Sequence, residues 1–187
     1  MTPEVKICGV KNFDTAVAAY EAGADYIGLV LSPSSRQISM DRARDIVTAL
    51  PRVRFVAVVR RMPRDILEMV LDRVPFWAVQ YHNNADFDWV KVVHDYGLKS
   101  IGTQEEKDSD IILMDGPEPG TGQVWNWQRP QRPQPFWIAG GLTVDNVGHV
   151  IRCLQPSGVD VSSGVETRGV KDLQKIRQFI KEAKQWQ

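Results

Sequence analysis

Short apolar runs suited to buried strands recur along this chain, and most are separated by stretches whose apolar positions follow helical spacing. The runs are Val5–Cys8, Tyr26–Leu31, Phe55–Val59, Phe76–Gln80, Lys99–Gly102, Ile111–Met114, Phe136–Ala139 and Val159–Ser162. Between the first two, Phe13, Ala16, Val17 and Tyr20 fall on one helical face, with Asn12 placed to cap the helix and Gly23 to end it. Ser39 caps a second helix that buries Met40, Ala43, Ile46, Val47 and Leu50 before Pro51. A third follows Pro63 on Ile66, Leu67 and Val70, and a fourth, on Phe87, Val90 and Val93, stops at Gly97. Val147, Val150, Ile151 and Leu154 mark another, and Leu173, Ile176, Phe179 and Ile180 the last. Strand–helix alternation predicts a parallel sheet covered by helices, and eight strands favour closure into a (β/α)8 TIM barrel, an α/β fold, with residues 1–187 as one catalytic domain.

Length sharpens this picture. At 187 residues the chain is short for a barrel that typically needs about 250. The trimmed element lies between the fifth and sixth strands, where Thr103 to Asp110 is too short for a full helix; a fifth helix reduced to a loop or one turn is expected. The proline-rich Arg129–Pro135 stretch reads as a surface connection. Lys plus Arg, 23, equals Asp plus Glu, 23, without a long block of one sign, so no nucleic-acid partner is expected. Cys8 and Cys153 fit neither a metal spacing nor a disulfide framework. With no signal peptide and no long apolar span, a cytoplasmic protein without membrane contact is expected, as monomer or homodimer.

Two glycine turns near the C-terminus carry the most chemistry: Trp137-Ile-Ala-Gly-Gly-Leu-Thr143 and Gly158-Val-Asp-Val-Ser-Ser-Gly-Val-Glu166. Small residues let backbone N–H groups approach a ligand closely. A pair of such turns after the seventh and eighth barrel strands suits a phosphate, held by Gly140, Gly141, Ser163 and Gly164. Barrel chemistry sits at the C-terminal strand ends, which here include Cys8, Arg60, His82 and Asp115. A thiol and a carboxylate on well-separated strands make a candidate base and acid. Cys8 alone could equally be a buried filler, and Asp115 a turn or capping residue. Alternation turns Lys6 inward with Cys8, and an ion pair between Lys6 and Asp160 would place a positive charge beneath the thiol and favour its thiolate.

Several of these strings together resemble the phosphoribosylanthranilate isomerases of tryptophan biosynthesis. They are Val5-Lys-Ile-Cys-Gly9, Ser32-Pro33 with Ser35-Arg-Gln-Ile-Ser39, Val79-Gln-Tyr-His82, Gly120-Thr-Gly122, Ala139-Gly-Gly-Leu142 with Asn146-Val147, and Asp160-Val-Ser-Ser-Gly-Val-Glu166 with Gly169-Val-Lys-Asp172. The resemblance implies an Amadori rearrangement of N-(5-phosphoribosyl)anthranilate to 1-(2-carboxyphenylamino)-1-deoxyribulose 5-phosphate, without metal or cofactor. It implies Asp115 as general acid, Cys8 as general base, and Arg36 as the grip on the anthranilate carboxylate. His82 and Asp160 complete the expected substrate site, His82 in a supporting role. Departures from the family pattern fall at Arg60, where an asparagine is common, at Pro119-Gly120, and at Trp125-Asn126-Trp127, which lacks the usual carboxylate. Two other functions compete. The histidine-pathway isomerase would need a second phosphate cradle in the first half, where no paired glycine turn occurs; a barrel that binds a phosphometabolite without turning it over would not need Cys8 and Asp115.

Overall fold

The computed structural model describes residues 2–82, 85–103, 108–116, 127–128, 130 and 135–185. Eight parallel strands close into a barrel in sequence order: β1 (Glu4–Cys8), β2 (Tyr26–Val30), β3 (Arg54–Arg60), β4 (Ala78–His82), β5 (Lys99–Thr103), β6 (Ile111–Met114), β7 (Phe136–Ile138) and β8 (Gly158–Val161). The helices are α1 (Phe13–Glu21), α2 (Met40–Ala49), α3 (Arg64–Arg73), α4 (Trp89–Asp95), α5 (Val147–Leu154) and α6 (Leu173–Lys184). A short antiparallel hairpin, β9 (Glu166–Thr167) with β10 (Val170–Lys171), separates β8 from α6.

Strand alternation divides the core. Val5 and Ile7 of β1 point outward into the layer between sheet and helices, whereas Cys8 shares the barrel interior with Val56, Val58, Ile101, Leu113 and Trp137. The N-terminal floor of the barrel is aromatic: the Tyr26 ring lies 4.8 Å from Trp77 and 4.9 Å from Trp137. One boundary is displaced: the apolar run predicts a fourth strand at Phe76–Gln80, whereas the strand spans Ala78–His82, with Phe76 buried in the outer layer and Trp77 on the aromatic floor.

Helix caps follow the sequence. The Asn12 side chain accepts from Thr15 N–H at 2.8 Å, and Ser39 Oγ accepts from Arg42 N–H at 3.2 Å. β5 ends at Thr103 and β6 begins at Ile111, which leaves no room for an ordinary barrel helix; residues 104–107 lie outside the described ones. Also outside them are Pro119-Gly120-Thr-Gly122, Trp125-Asn126, Arg129 and residues 131–134 of the proline-rich connection. Among the described residues, no helix is long and apolar enough to cross a membrane.

Candidate active site

At the C-terminal mouth of the barrel, a cavity of about 160 Å³ is lined by Cys8, Arg36, His82, Asp115 and Asp160, with Gly140, Gly141 and Ser163 on its far wall. Gly164 is the one expected phosphate residue not in that wall. A Cβ there would collide with the Leu142 carbonyl oxygen, so this glycine lets the two C-terminal turns touch. The first turn uses left-handed backbone at Gly140 (φ 75°) and Gly141 (φ 71°). Asn146 pins it: Oδ1 accepts from Thr143 N–H at 2.8 Å, and Nδ2 donates to the Gly141 carbonyl at 2.9 Å. In the second turn, Ser163 and Gly164 open a single 3₁₀ turn, Ser163–Val165, and precede its bond from Val165 N–H to the Ser162 carbonyl at 3.4 Å. Their N–H groups therefore have no acceptor within the helical turn itself.

Asp160 of the cavity lining is adjacent to Lys6 across the pairing of β1 with β8, and Lys6 Nζ donates to Asp160 Oδ1 at 2.9 Å. Both are buried, Lys6 completely. Space for the pair and for Cys8 comes from Gly28 on β2, where a Cβ would lie 3.0 Å from Cys8 Sγ and 3.1 Å from Lys6 Nζ.

These neighbours set the proton affinities. Burial pushes the Asp115 carboxyl up to about 6, and the Asp160 charge adds to the rise; Gly116 N–H, 2.8 Å from Oδ1, and Lys6 pull the other way. Burial also raises the Cys8 thiol above its ordinary value. Lys6 and Lys171 oppose this but do not overcome it. The expected help from Lys6 is present in direction, yet it does not make a low-affinity thiolate: removal from water, with the Asp160 charge adding to it, outweighs both cations. His82 is lowered to about 4, by burial first and then by Lys6 and Arg60, so it is a neutral imidazole near pH 7. Its Nε2 sits 2.7 Å from Gln80 Nε2, which suits a ring nitrogen that accepts from the amide, while Gln80 Oε1 is buried with no partner among the described residues.

Arg36 is held in a way the sequence reading did not foresee. Its Nε and Nη2 each donate to Glu166 at 2.8 Å, on Oε1 and Oε2 respectively. Lys171 Nζ donates to the same carboxylate at 2.7 Å, and to the Ser162 carbonyl at 2.8 Å. Glu166 and Lys171 lie in strings singled out for their resemblance, but neither suggests a role on its own. Five residues apart in the chain, they face each other because the β9–β10 hairpin, turning at Arg168 (φ 52°) and Gly169 (φ 77°), folds one onto the other.

A model of the N-(5'-phosphoribosyl)anthranilate isomerase family matches residues 5–182. The chain belongs to that family. An N-(5'-phosphoribosyl)anthranilate isomerase of Streptococcus mutans is 38% identical, over 97% of this chain and 98% of its own. The phosphoribosyl anthranilate isomerase of Thermotoga maritima superposes with a TM-score of 0.85 at 31% identity, over 98% of this chain and 99% of its own. A further isomerase structure, 30% identical with a TM-score of 0.78 over 98% and 99% of the two chains, holds reduced 1-(o-carboxyphenylamino)-1-deoxyribulose 5-phosphate. The isomerase activity and its place in tryptophan biosynthesis follow from this membership, and the histidine-pathway alternative is set aside.

Proposed function

We propose that Asp115 and Cys8 divide the proton transfers of the isomerase reaction, with the two glycine turns holding the phosphate of N-(5-phosphoribosyl)anthranilate and Arg36 its carboxylate. Asp115 protonates the furanose ring oxygen, and the ring opens to a Schiff base. Cys8, as thiolate, removes the C2 proton; the resulting enolamine tautomerises to the ketone of 1-(2-carboxyphenylamino)-1-deoxyribulose 5-phosphate. Neutral His82, Gln80 and the Asp160 side of the cavity shape the sugar site, and no residue other than the acid and base need exchange a proton. We also place this single catalytic domain in the cytoplasm, with its biosynthetic pathway.

The observation that carries this assignment is convergence. A thiol from β1 and a carboxyl from the end of β6 line one cavity with both glycine turns, although the chain separates them widely. Among the described residues, no group of three or more His, Cys, Asp or Glu side chains is placed to hold a metal ion. The scheme itself asks for none, so prolonged chelation should leave turnover unchanged. The test of the assignment is turnover followed by loss of substrate fluorescence: Asp115→Asn and Cys8→Ala should each lose ~10²–10⁴-fold in kcat while remaining folded. Asp115→Asn retaining more than about a tenth of normal turnover, a loss smaller than one proton-transfer group ordinarily supplies, would remove it as the acid.

A further inference from the structure

Asparagine is among the residues that most often cap a helix with their own side chain. Asn146 stands directly before α5 and makes no such bond to the helix. Both of its polar atoms turn back onto the first glycine turn, Oδ1 to Thr143 N–H and Nδ2 to the Gly141 carbonyl. These bonds act on consecutive peptide groups. In a trans peptide the C=O and N–H point in opposite directions, so holding the Gly141 carbonyl turns Leu142 N–H away from Asn146. Holding Thr143 N–H turns the Leu142 carbonyl away as well, and that carbonyl lies against Gly164 of the second turn. The side away from Asn146 is therefore the side of the other glycine turn. Leu142 is buried and lines the cavity, and its N–H has no acceptor among the described residues. Buried N–H groups without a partner are rare in folded chains.

Resting on the reading that the two glycine turns hold the substrate phosphate, we propose that Asn146 is the positioning residue of that cradle: it aims Leu142 N–H at the phosphate and withholds Thr143 N–H from it. The left-handed glycines make the turn possible, and Asn146 selects which of its amides faces the ligand. Helix α5 gives up a side-chain cap for this, and Leu142 contributes through its backbone, which its apolar side chain does not advertise.

The experiment compares wild type with Asn146→Ser, in kcat/KM for N-(5-phosphoribosyl)anthranilate and for its phosphate-free counterpart, and in Ki for inorganic phosphate. Serine caps a helix about as well as asparagine but is too short to bridge both peptides of the turn, so a role confined to α5 would survive the change. Thermal melts confirm the fold. Asn146→Ser should lower the preference for the phosphorylated substrate, and weaken phosphate inhibition, by about tenfold or more, the scale of one hydrogen bond to a charged group. An unchanged preference, or equal losses on both substrates, would overturn the proposal. Wild type supplies a second measurement that needs no variant. On titration with inorganic phosphate, the Leu142 amide proton should move downfield further than that of Thr143. The reverse order, or a Leu142 amide that stays still while Ser163 responds, would overturn the assignment. A wild type that neither prefers the phosphorylated substrate nor binds inorganic phosphate would instead defeat the reading of the glycine turns, a result seen before any substitution is made.

Discussion

To protonate an ether oxygen near neutrality, a carboxyl must keep some of its protons where ordinary carboxylic acids have lost theirs. Asp115, at about 6, is about a tenth protonated at pH 7. In the proposed scheme the thiol has the opposite problem, because burial raises its affinity while the proposed base step needs it ionised. The pair therefore rests mainly as carboxylate and thiol, and the productive carboxyl and thiolate form is a minority of the same total charge. Its share falls below about pH 6, where Asp115 gains a proton without Cys8 losing one, and changes little from there up to the raised thiol value. kcat/KM plotted against pH should show that plateau, and the residual activity of Asp115→Asn should lose the limb near 6. A limb that persists in Asp115→Asn would belong to another group. His82, lowered to about 4, lies too far down to supply it. The places of Cys8, Asp115 and the paired glycines at the barrel mouth could be read from the sequence because each ends or follows an apolar run; the proton-transfer roles proposed for the first two came only through the resemblance. Arg36 could be read only through its resemblance, and the holding of it by Glu166 and Lys171 could not be read at all, since a hairpin's turn, not periodicity, brings those two together.

At the scale of elements, two joins matter. Where a full helix does not fit between β5 and β6, Asp110 staples the strands directly. Its Oδ2 accepts from Ser100 N–H and Oγ at 2.9 Å each and lies 2.9 Å from His94 Nε2, and its Oδ1 accepts from Lys99 Nζ at 2.9 Å. Burial pushes this carboxyl toward protonation, but Lys99, Ser100 and His94 more than offset it, so its affinity lies below the usual carboxylate range. A depressed carboxylate contributes stability that is complete above its unfolded value, near 4, and is lost as pH falls toward the folded one. Asp110→Ala should therefore cost about 1–3 kcal/mol at pH 7 in urea unfolding, and less at pH 3. A cost that does not shrink in acid would contradict the staple. The second join is the contact of the glycine turns. Gly164→Ala meets the Leu142 carbonyl and must part them, so KM for the phosphorylated substrate should rise together with a loss of about 1–3 kcal/mol in stability. Alternating patterns made the strands and most helices legible. They could not show that Gly164 serves packing, because a glycine's neighbours across space leave no mark on its own segment.

The whole barrel depends on its first and last strands finding each other, and Lys6 with Asp160 lies on that seam. Lys6→Met leaves a buried carboxylate without its cation and should destabilise the fold by about 3–5 kcal/mol; adding Asp160→Leu to it should recover much of that loss. If the double variant is no more stable than the single, packing rather than charge explains the effect. The seam is also tied from outside, where Lys184 of α6 donates at 2.7 Å to the Asp25 carboxylate that accepts Val5 N–H. A ribosome supplies these partners in a fixed order. For as long as residue 160 is still inside the exit tunnel, Lys6 has no anion to meet, and burying its ammonium would be prohibitively unfavourable. Burial of Lys6 and closure of the β1–β8 seam are thereby made one event, which cannot precede the synthesis of residue 160.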